Sequence, residues 1–379
     1  MILKTFVWAT LSFTLALVTA CSQHNEHVRE WSQEELDELE AKWGTDWAFS
    51  GISTFAHLKH VRCLTTPSEL FDIAIIGAPF DTAVTYRPGG FNPRAGINPY
   101  QNWAKILDCG DIPVTPMDNV QALTQMSAAF SELGARAPVS PLVIKPKLIT
   151  LGGDHSLSLP ALRALNKIYG QSLRVLHFDA HLDTWHPAKY PSYWGTEQSN
   201  FNHGSMFWLA GQEGLLSNAS GAPSVHAGLR TRLSGTGFDD FEDDDKQGWI
   251  RFSADDIDDI GTKGIVRNIM DTLGTEDPVY LSVDIDVLDP AFAPGTGTPE
   301  PGGWTTRELI RILRGVEGLN VVGADVVEVA PAYQGNGEET ALAAAQVVFE
   351  ILSSMVKKGL QEMGKTETNG HRIGVKDEL

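Results

Sequence analysis

The chain has 379 residues, 42% apolar and 20% charged, enough for one large α/β domain with extensions or for two domains. A formal charge of −19 excludes a general nucleic-acid binder, which needs Lys and Arg at phosphates, and disfavours an anionic membrane surface. Three cysteines exclude a disulfide-built scaffold and a zinc module held by four thiolates.

Residues 1–20 read as a secretory signal peptide: Lys4, an apolar run from Phe6 to Val18, then the small-residue pattern Val18-Thr19-Ala20. The run is shorter than the ~20 residues that span a bilayer, so no stable membrane anchor is expected. Cys21 after Ala20 leaves a lipoprotein anchor as an alternative. Residues 21–60 form an N-terminal extension, in which Ser32 and Glu35 predict a capping box opening a helix to Trp43. At the other end, Lys376-Asp377-Glu378-Leu379 is an endoplasmic-reticulum retention signal. The two signals agree on the endoplasmic-reticulum lumen, with secretion as a further alternative. Asn218-Ala219-Ser220 is a glycosylation sequon that fits this route. Cys63 and Cys109 either pair in an oxidising lumen or remain buried thiols.

The main domain is expected over 61–359, followed by a polar tail, 360–379. Apolar strand-like runs recur at Phe71–Ala78, Lys147–Leu151, Arg174–Phe178, Pro223–Leu229, Ile250–Ser253, Val279–Val283 and Val321–Val329. Helical patterns lie between them at Val120–Ala135, Leu157–Tyr169, Met206–Leu216, Ile257–Leu273, Thr306–Gly315 and Glu338–Lys357. This alternation predicts an α/β fold with a parallel sheet covered on both faces.

Ionisable residues follow several of these strands, where ligands bind in such sheets. Gly152-Gly153-Asp154-His155 follows Leu151, Asp179-Ala180-His181-Leu182-Asp183 follows Phe178, and Asp284-Ile285-Asp286 follows Val283. In extended chain, spacing by two puts Asp179, His181 and Asp183 on one side, and likewise Asp284 and Asp286. Buried carboxylates need cations, and His155 adds an imidazole. Carboxylates with imidazoles and no thiolate favour Mn²⁺ over structural Zn²⁺.

GGDH at 152–155, DAHLD at 179–183 and SVDIDVLDP at 282–290 resemble, in order, the three metal motifs of the ureohydrolase family, which includes arginase and agmatinase. The resemblance runs from about Phe71 to Gly359. It implies a three-layer α/β/α domain on a mainly eight-stranded parallel sheet, two Mn²⁺ per subunit and a homo-oligomer, trimeric or hexameric. By motif, His155 and Asp183 would hold one ion, His181 and Asp286 the other, and Asp179 and Asp284 would bridge them. The family activity is hydrolysis of a small cationic guanidine to urea and an amine. Glu328 matches the carboxylate that grips the guanidinium, and His203 the histidine that passes a proton to the leaving amine. The other histidines, His177 and His226 among them, are expected to be plain structural residues.

The stretch Ala293–Glu300 resembles the agmatinase branch. Trp185, placed as a substrate-binding residue, stands where arginases usually carry an Asn that receives the amino-acid end of arginine. Both features favour agmatine, giving putrescine and urea, with a guanidino-acid hydrolase or arginase as alternatives. Two departures stand out: Arg87-Pro88-Gly89-Gly90 runs directly into Phe91 as though a short helix were missing, and Gln334 replaces a common Asp. The shortening leaves open a non-catalytic family member in the secretory pathway. A deacetylase-like hydrolase with a single Zn²⁺ is the other alternative.

Overall fold

A computed structural model describes residues 32–37, 54–78, 99–115, 118–189 and 200–369. The expected signal peptide, Cys21, the shortened stretch at Gly90-Phe91 and the terminal Lys376-Asp377-Glu378-Leu379 lie outside the described residues. The capping box is present on the helix at 33–37: the Ser32 N–H donates to Glu35 Oε2 at 2.9 Å, and the Glu35 N–H to Ser32 Oγ at 3.2 Å. A separate, larger unit begins at Thr54.

That unit is built on eight strands: β1 (Ile73–Ala78), β2 (Ile106–Asp111), β3 (Lys147–Gly152), β4 (Arg174–Phe178), β5 (Ser224–Leu229), β6 (Trp249–Ser253), β7 (Pro278–Asp284) and β8 (Asn320–Val327). They form one parallel sheet in the order β2-β1-β3-β8-β7-β4-β5-β6. Successive side chains go to opposite faces. Ile73, Ile75, Leu176 and Phe178 pack in one core, and Ala74, Ile76, Val175 and Tyr280 in the other. Helices α1 (Asn119–Gly134), α2 (Ser158–Tyr169) and α3 (Met206–Gln212) cover the second core. After α4 (Asp239–Lys246), helices α5 (Asp256–Leu273), α6 (Thr306–Gly315) and α7 (Glu339–Asn369) cover the first. The expected α/β/α layering is observed.

Several details differ from expectation. Strand β2, Ile-Leu-Asp-Cys-Gly-Asp, carries too few apolar residues for a strand signal, because an edge strand pairs on one side only. Helix α4 is almost wholly acidic and has no apolar periodicity to announce it. Helix α3 stops at Gln212, short of Leu216. Helix α7 continues through Gly359 instead of giving way there to a tail. Gly359 is a docking point: any Cβ there would collide with the Trp103 ring, whose Nε1–H donates to Val356 O at 2.9 Å. The Glu339–Glu362 stretch is apolar enough to cross a membrane, but 89% of its apolar window is buried inside the fold. Gln334 serves the start of α7, where its Oε1 accepts from the Ala341 N–H.

Cys63 and Cys109 are joined as a disulfide with Cα atoms 5.0 Å apart. The sequon is corrected. Asn218 is buried, and the amide nitrogen a glycan would need donates to Gln247 O at 3.1 Å. Its Oδ1 accepts from the Ser224 N–H and hydroxyl.

The topology fixes where chemistry can occur. From β3 the chain re-enters the sheet at β4, beyond β8 and β7. This switch opens a crevice at the carboxyl ends of the four central strands, all of which deliver candidate residues.

Candidate metal and catalytic site

Strand β3 delivers the first imidazole. Gly153 turns the chain at φ +42, and Asp154 caps the next turn by accepting from the Ser156 N–H at 2.9 Å. Fully buried His155 then points Nδ1 at three carboxylates: Asp179 Oδ2 and Asp183 Oδ2, each at 3.2 Å, and Asp284 Oδ2 at 3.4 Å. Its Nε2 sits 2.7 Å from Ser282 Oγ, and the Ser282 hydroxyl donates to Asp325 Oδ1 at 2.7 Å. Ser282 therefore accepts from Nε2–H, which leaves the Nδ1 lone pair facing the carboxylates. Asp325 is held in turn by the Ser158 and Tyr280 hydroxyls, each donating at 2.6 Å.

Strand β4 delivers the second. His181 Nδ1 lies 3.1 Å from Asp179 Oδ1 and 3.0 Å from Asp286 Oδ2. Asp179 thus turns one oxygen to each imidazole, as a bridging ligand would. Backbone donors fix the carboxylates: Asp179 Oδ1 accepts from the His181 N–H at 2.6 Å, Asp284 Oδ1 from the Asp286 N–H at 2.8 Å, and Asp286 Oδ1 from the Ala180 N–H at 3.1 Å. The observed contacts of Asp284 are to His155 and to its own turn; for Asp179 the contacts reach both sides.

The donor set fits two divalent cations. Asp179, Asp183, Asp284 and Asp286 are buried, and four carboxylate charges are balanced by two such ions. His155 Nδ1 is a buried nitrogen with no hydrogen-bond partner, which suits a ligand atom. Burial opposes charging of His155 and His181, yet the facing carboxylates keep both well above the usual histidine range. Burial and neighbouring carboxylates push Asp284 well up and Asp183 up.

Glu328 and His203 form a third group with Asp154. Glu328 Oε1 accepts from the His155 N–H at 2.8 Å, and the Glu328 N–H donates to Gly153 O at 2.9 Å. Burial, then Asp154 and Asp284, holds its carboxyl well above the usual range. His203 is one-third exposed, with Nδ1 3.4 Å from Asp154 Oδ2. Burial opposes its charging, but Asp154 outweighs this and raises it to about 9. Both Asp183 and Glu328 have φ +55, a left-handed conformation that costs a non-glycine residue about 1–3 kcal/mol and concentrates at functional sites.

The structure therefore gathers His155, Asp179, His181, Asp183, Asp284, Asp286, His203 and Glu328 at one crevice. Trp185 lies two residues beyond Asp183. Its N–H donates to Gly204 O at 3.0 Å, tying its loop to that of His203. Trp185 also lines cavities of about 580 and 500 Å³, the second beside Ala180 and Leu182. His177 and His226, expected to be structural, lie behind Asp179. Residue 177, near the end of β4, precedes Asp179 by two, the spacing that relates Asp179 to His181. Register pairs 177 with 226, and their Nδ1 atoms lie 2.7 Å apart.

A family model described as the arginase family matches residues 71–353. "Putative agmatinase 3" of Schizosaccharomyces pombe is 49% identical over 338 residues, 82% of this chain and 81% of that one. An agmatinase of Chromobacterium violaceum is 35% identical, covering 82% of this chain and 90% of its own. The solved proclavaminate amidino hydrolase of Streptomyces clavuligerus superposes with a TM-score of 0.68 at 32% identity, covering 83% of this chain and 100% of its own. With its crevice of carboxylates and imidazoles, the chain belongs to the arginase family and is a metal-dependent hydrolase acting on a guanidine.

Proposed function

We propose that the chain binds two Mn²⁺ and hydrolyses agmatine to putrescine and urea. The observation that carries the binuclear reading is Asp179, whose two oxygens face two separate imidazole–carboxylate groups. The ions would be held by His155 with Asp183 and by His181 with Asp286, Asp179 and Asp284 lying between; carboxylate and imidazole donors suit Mn²⁺. Bound there, the pair supplies Lewis-acid activation of water at neutral pH. Glu328 pairs with the planar guanidinium and holds its carbon over the crevice. Water adds to that carbon, the C–N bond to the alkyl amine breaks, and urea remains. His203, kept as an imidazolium by Asp154, gives its proton to the departing amine and regains one from solvent.

Agmatine is favoured by the two agmatinase-named relatives and by Glu300, whose carboxylate lies at the rim 4.0 Å from His181 Nε2. That carboxylate suits the terminal ammonium of agmatine. A guanidino acid is the second reading: the cavity beside Ala180 and Leu182 includes exposed Arg232, a partner for a carboxylate. Urea release from agmatine, arginine and 4-guanidinobutyrate by the Mn²⁺-loaded protein decides between them. Agmatine is expected to have the highest kcat/KM, and faster hydrolysis of either acid overturns that choice. A homo-oligomer, trimeric or hexameric, is proposed with this activity.

The endoplasmic-reticulum lumen is the proposed location. The N-terminal apolar run and terminal Lys-Asp-Glu-Leu motivate it, and the Cys63–Cys109 disulfide supports an oxidising compartment. Deleting residues 376–379 should release the protein into the medium of a eukaryotic host. A full-length protein found in the cytosol overturns the location.

A further inference from the structure

Behind Asp179 a chain of buried side chains leads away from the crevice. Asp179 Oδ2 lies 2.8 Å from His177 Nε2, and His177 Nδ1 lies 2.7 Å from His226 Nδ1. His226 Nε2 then meets Asp244 Oδ1 at 3.2 Å. Asp244 accepts from Thr184 Oγ1 at 2.7 Å and from Arg251 Nη1 at 2.6 Å. Neighbouring strands β4 and β5 place the two imidazoles in register, and α4 supplies Asp244.

Three features set this chain apart from ordinary core packing. Asp179, His177, His226 and Asp244 are all fully buried polar residues, an arrangement retained only when each is partnered. Both rings are clamped: Trp249 stacks on His226 with centroids 3.9 Å apart and planes 16° apart, and Phe207 meets His177 edge-on at 4.8 Å. Moreover, the chain ends on Asp179, a carboxylate that faces both imidazole groups. Asp179 Oδ2 faces His155 as well as His177, so rotation of that carboxylate would disturb both sides of the site.

We propose that His226 and Asp244 are positioning residues that hold His177 in the orientation fixing Asp179 between the two ion sites. The acidic helix α4 thereby carries Asp244 inward, and Arg251 anchors that carboxylate from the far side. This rests on the binuclear metal reading. Loss of partners behind a metal ligand typically weakens metal affinity about 10- to 100-fold.

The test is binding of Mn²⁺ alone by metal-free full chain, measured by chelator competition per folded molecule, alongside thermal unfolding of the metal-free protein. Wild type should bind two ions. His226→Leu and Asp244→Asn should each weaken binding of at least one ion about tenfold or more. His226→Asn, which restores a polar atom near the position of Nδ1, should recover part of that loss. Arg251→Gln, altered only at the outer end, should show a smaller loss in the same direction and carries the test should His226→Leu fail to fold. Variants that unfold at lower temperature yet bind both ions as tightly as wild type would show a structural role alone and overturn the proposal. Wild type that binds no Mn²⁺ would instead overturn the metal reading on which it rests.

Discussion

The two imidazole groups on either side of Asp179 differ in depth. His155 is fully buried, has three carboxylates in front and is oriented from behind by Ser282 and Asp325. His181 is 14% exposed, meets two carboxylates, and has Glu300 at the rim 4.0 Å from its Nε2. Low dielectric strengthens attraction between a cation and its carboxylates, and a ligand already oriented loses less freedom on binding. The ion next to His155 is therefore expected to be held more tightly than the one beside His181.

The largest effect should come from removing what the two sides share. Asp179→Ala takes one oxygen from each group and leaves excess positive charge between two cations. Activity should fall by more than the roughly hundredfold typical of losing an outer partner, and at least one ion should be lost, as counted by metal analysis of purified protein. Asp284→Ala should resemble it if Asp284 also bridges. Retained stoichiometry and turnover in both variants would remove the shared-ligand description altogether.

Next, the contrast in depth can be tested directly. Rising chelator should strip the protein in two stages, separated by about tenfold or more in affinity. His181→Ala should lack the easily lost ion and keep the tightly held one. Simultaneous release of both ions from wild type would show that depth does not distinguish the sides.

How much of this was visible in the sequence depends on what each feature rests on. Spacing by two after an apolar run drew attention to Asp179, His181 and Asp183, but the segment lies beyond β4 in a bend with Asp183 in the left-handed region, so the turn and not strand alternation brings them together. The parallel sheet covered on both faces followed from short Val- and Ile-rich strands alternating with helices. Strand β2 escaped because its pairing is one-sided and its composition polar. The left-handed backbone at Asp183 and Glu328 escaped because nothing in the residue type announces it. His226 needed inter-strand register, a nonlocal property, to be seen beside His177. Asp244 was hidden in an acidic run that looks like a solvated face until α4 turns it inward.

Beside His155, Glu328 and His203 should separate by kind of defect. Glu328→Gln should lower kcat/KM for agmatine, arginine and 4-guanidinobutyrate alike, since it acts on the group they share. Loss of one charge-assisted pair, worth about 1.5–3 kcal/mol, corresponds to roughly ten- to a hundredfold. His203 must carry its proton to serve the leaving amine. Its folded value of about 9 lies above the unfolded reference, so the charged form predominates at neutral pH and is lost as pH rises through about 9. The rate should fall along that alkaline limb, and His203→Ala should be slow and lack the limb. By the same linkage, the Asp154–His203 contact stabilises the fold fully below about pH 6.5 and ceases to do so above about 9. A His203→Ala profile that keeps an unchanged alkaline limb would assign the proton to another group.

The smallest effect is expected at Trp185. Position in the motif suggests that its ring decides between agmatine and arginine. Trp185 lines two cavities, one of them beside Ala180 and Leu182, and its backbone N–H holds the His203 loop through Gly204. Trp185→Asn preserves that N–H. Any change in selectivity must then come from loop repacking or from a substrate tail long enough to reach the cavity beside Ala180 and Leu182. The ratio of kcat/KM for agmatine over arginine should move by less than about tenfold, or under ~1.4 kcal/mol. Urea release from both substrates by wild type and variant measures this. A larger shift toward arginine would place the indole at the substrate's distal end and extend the binding site from the His181 side into that cavity.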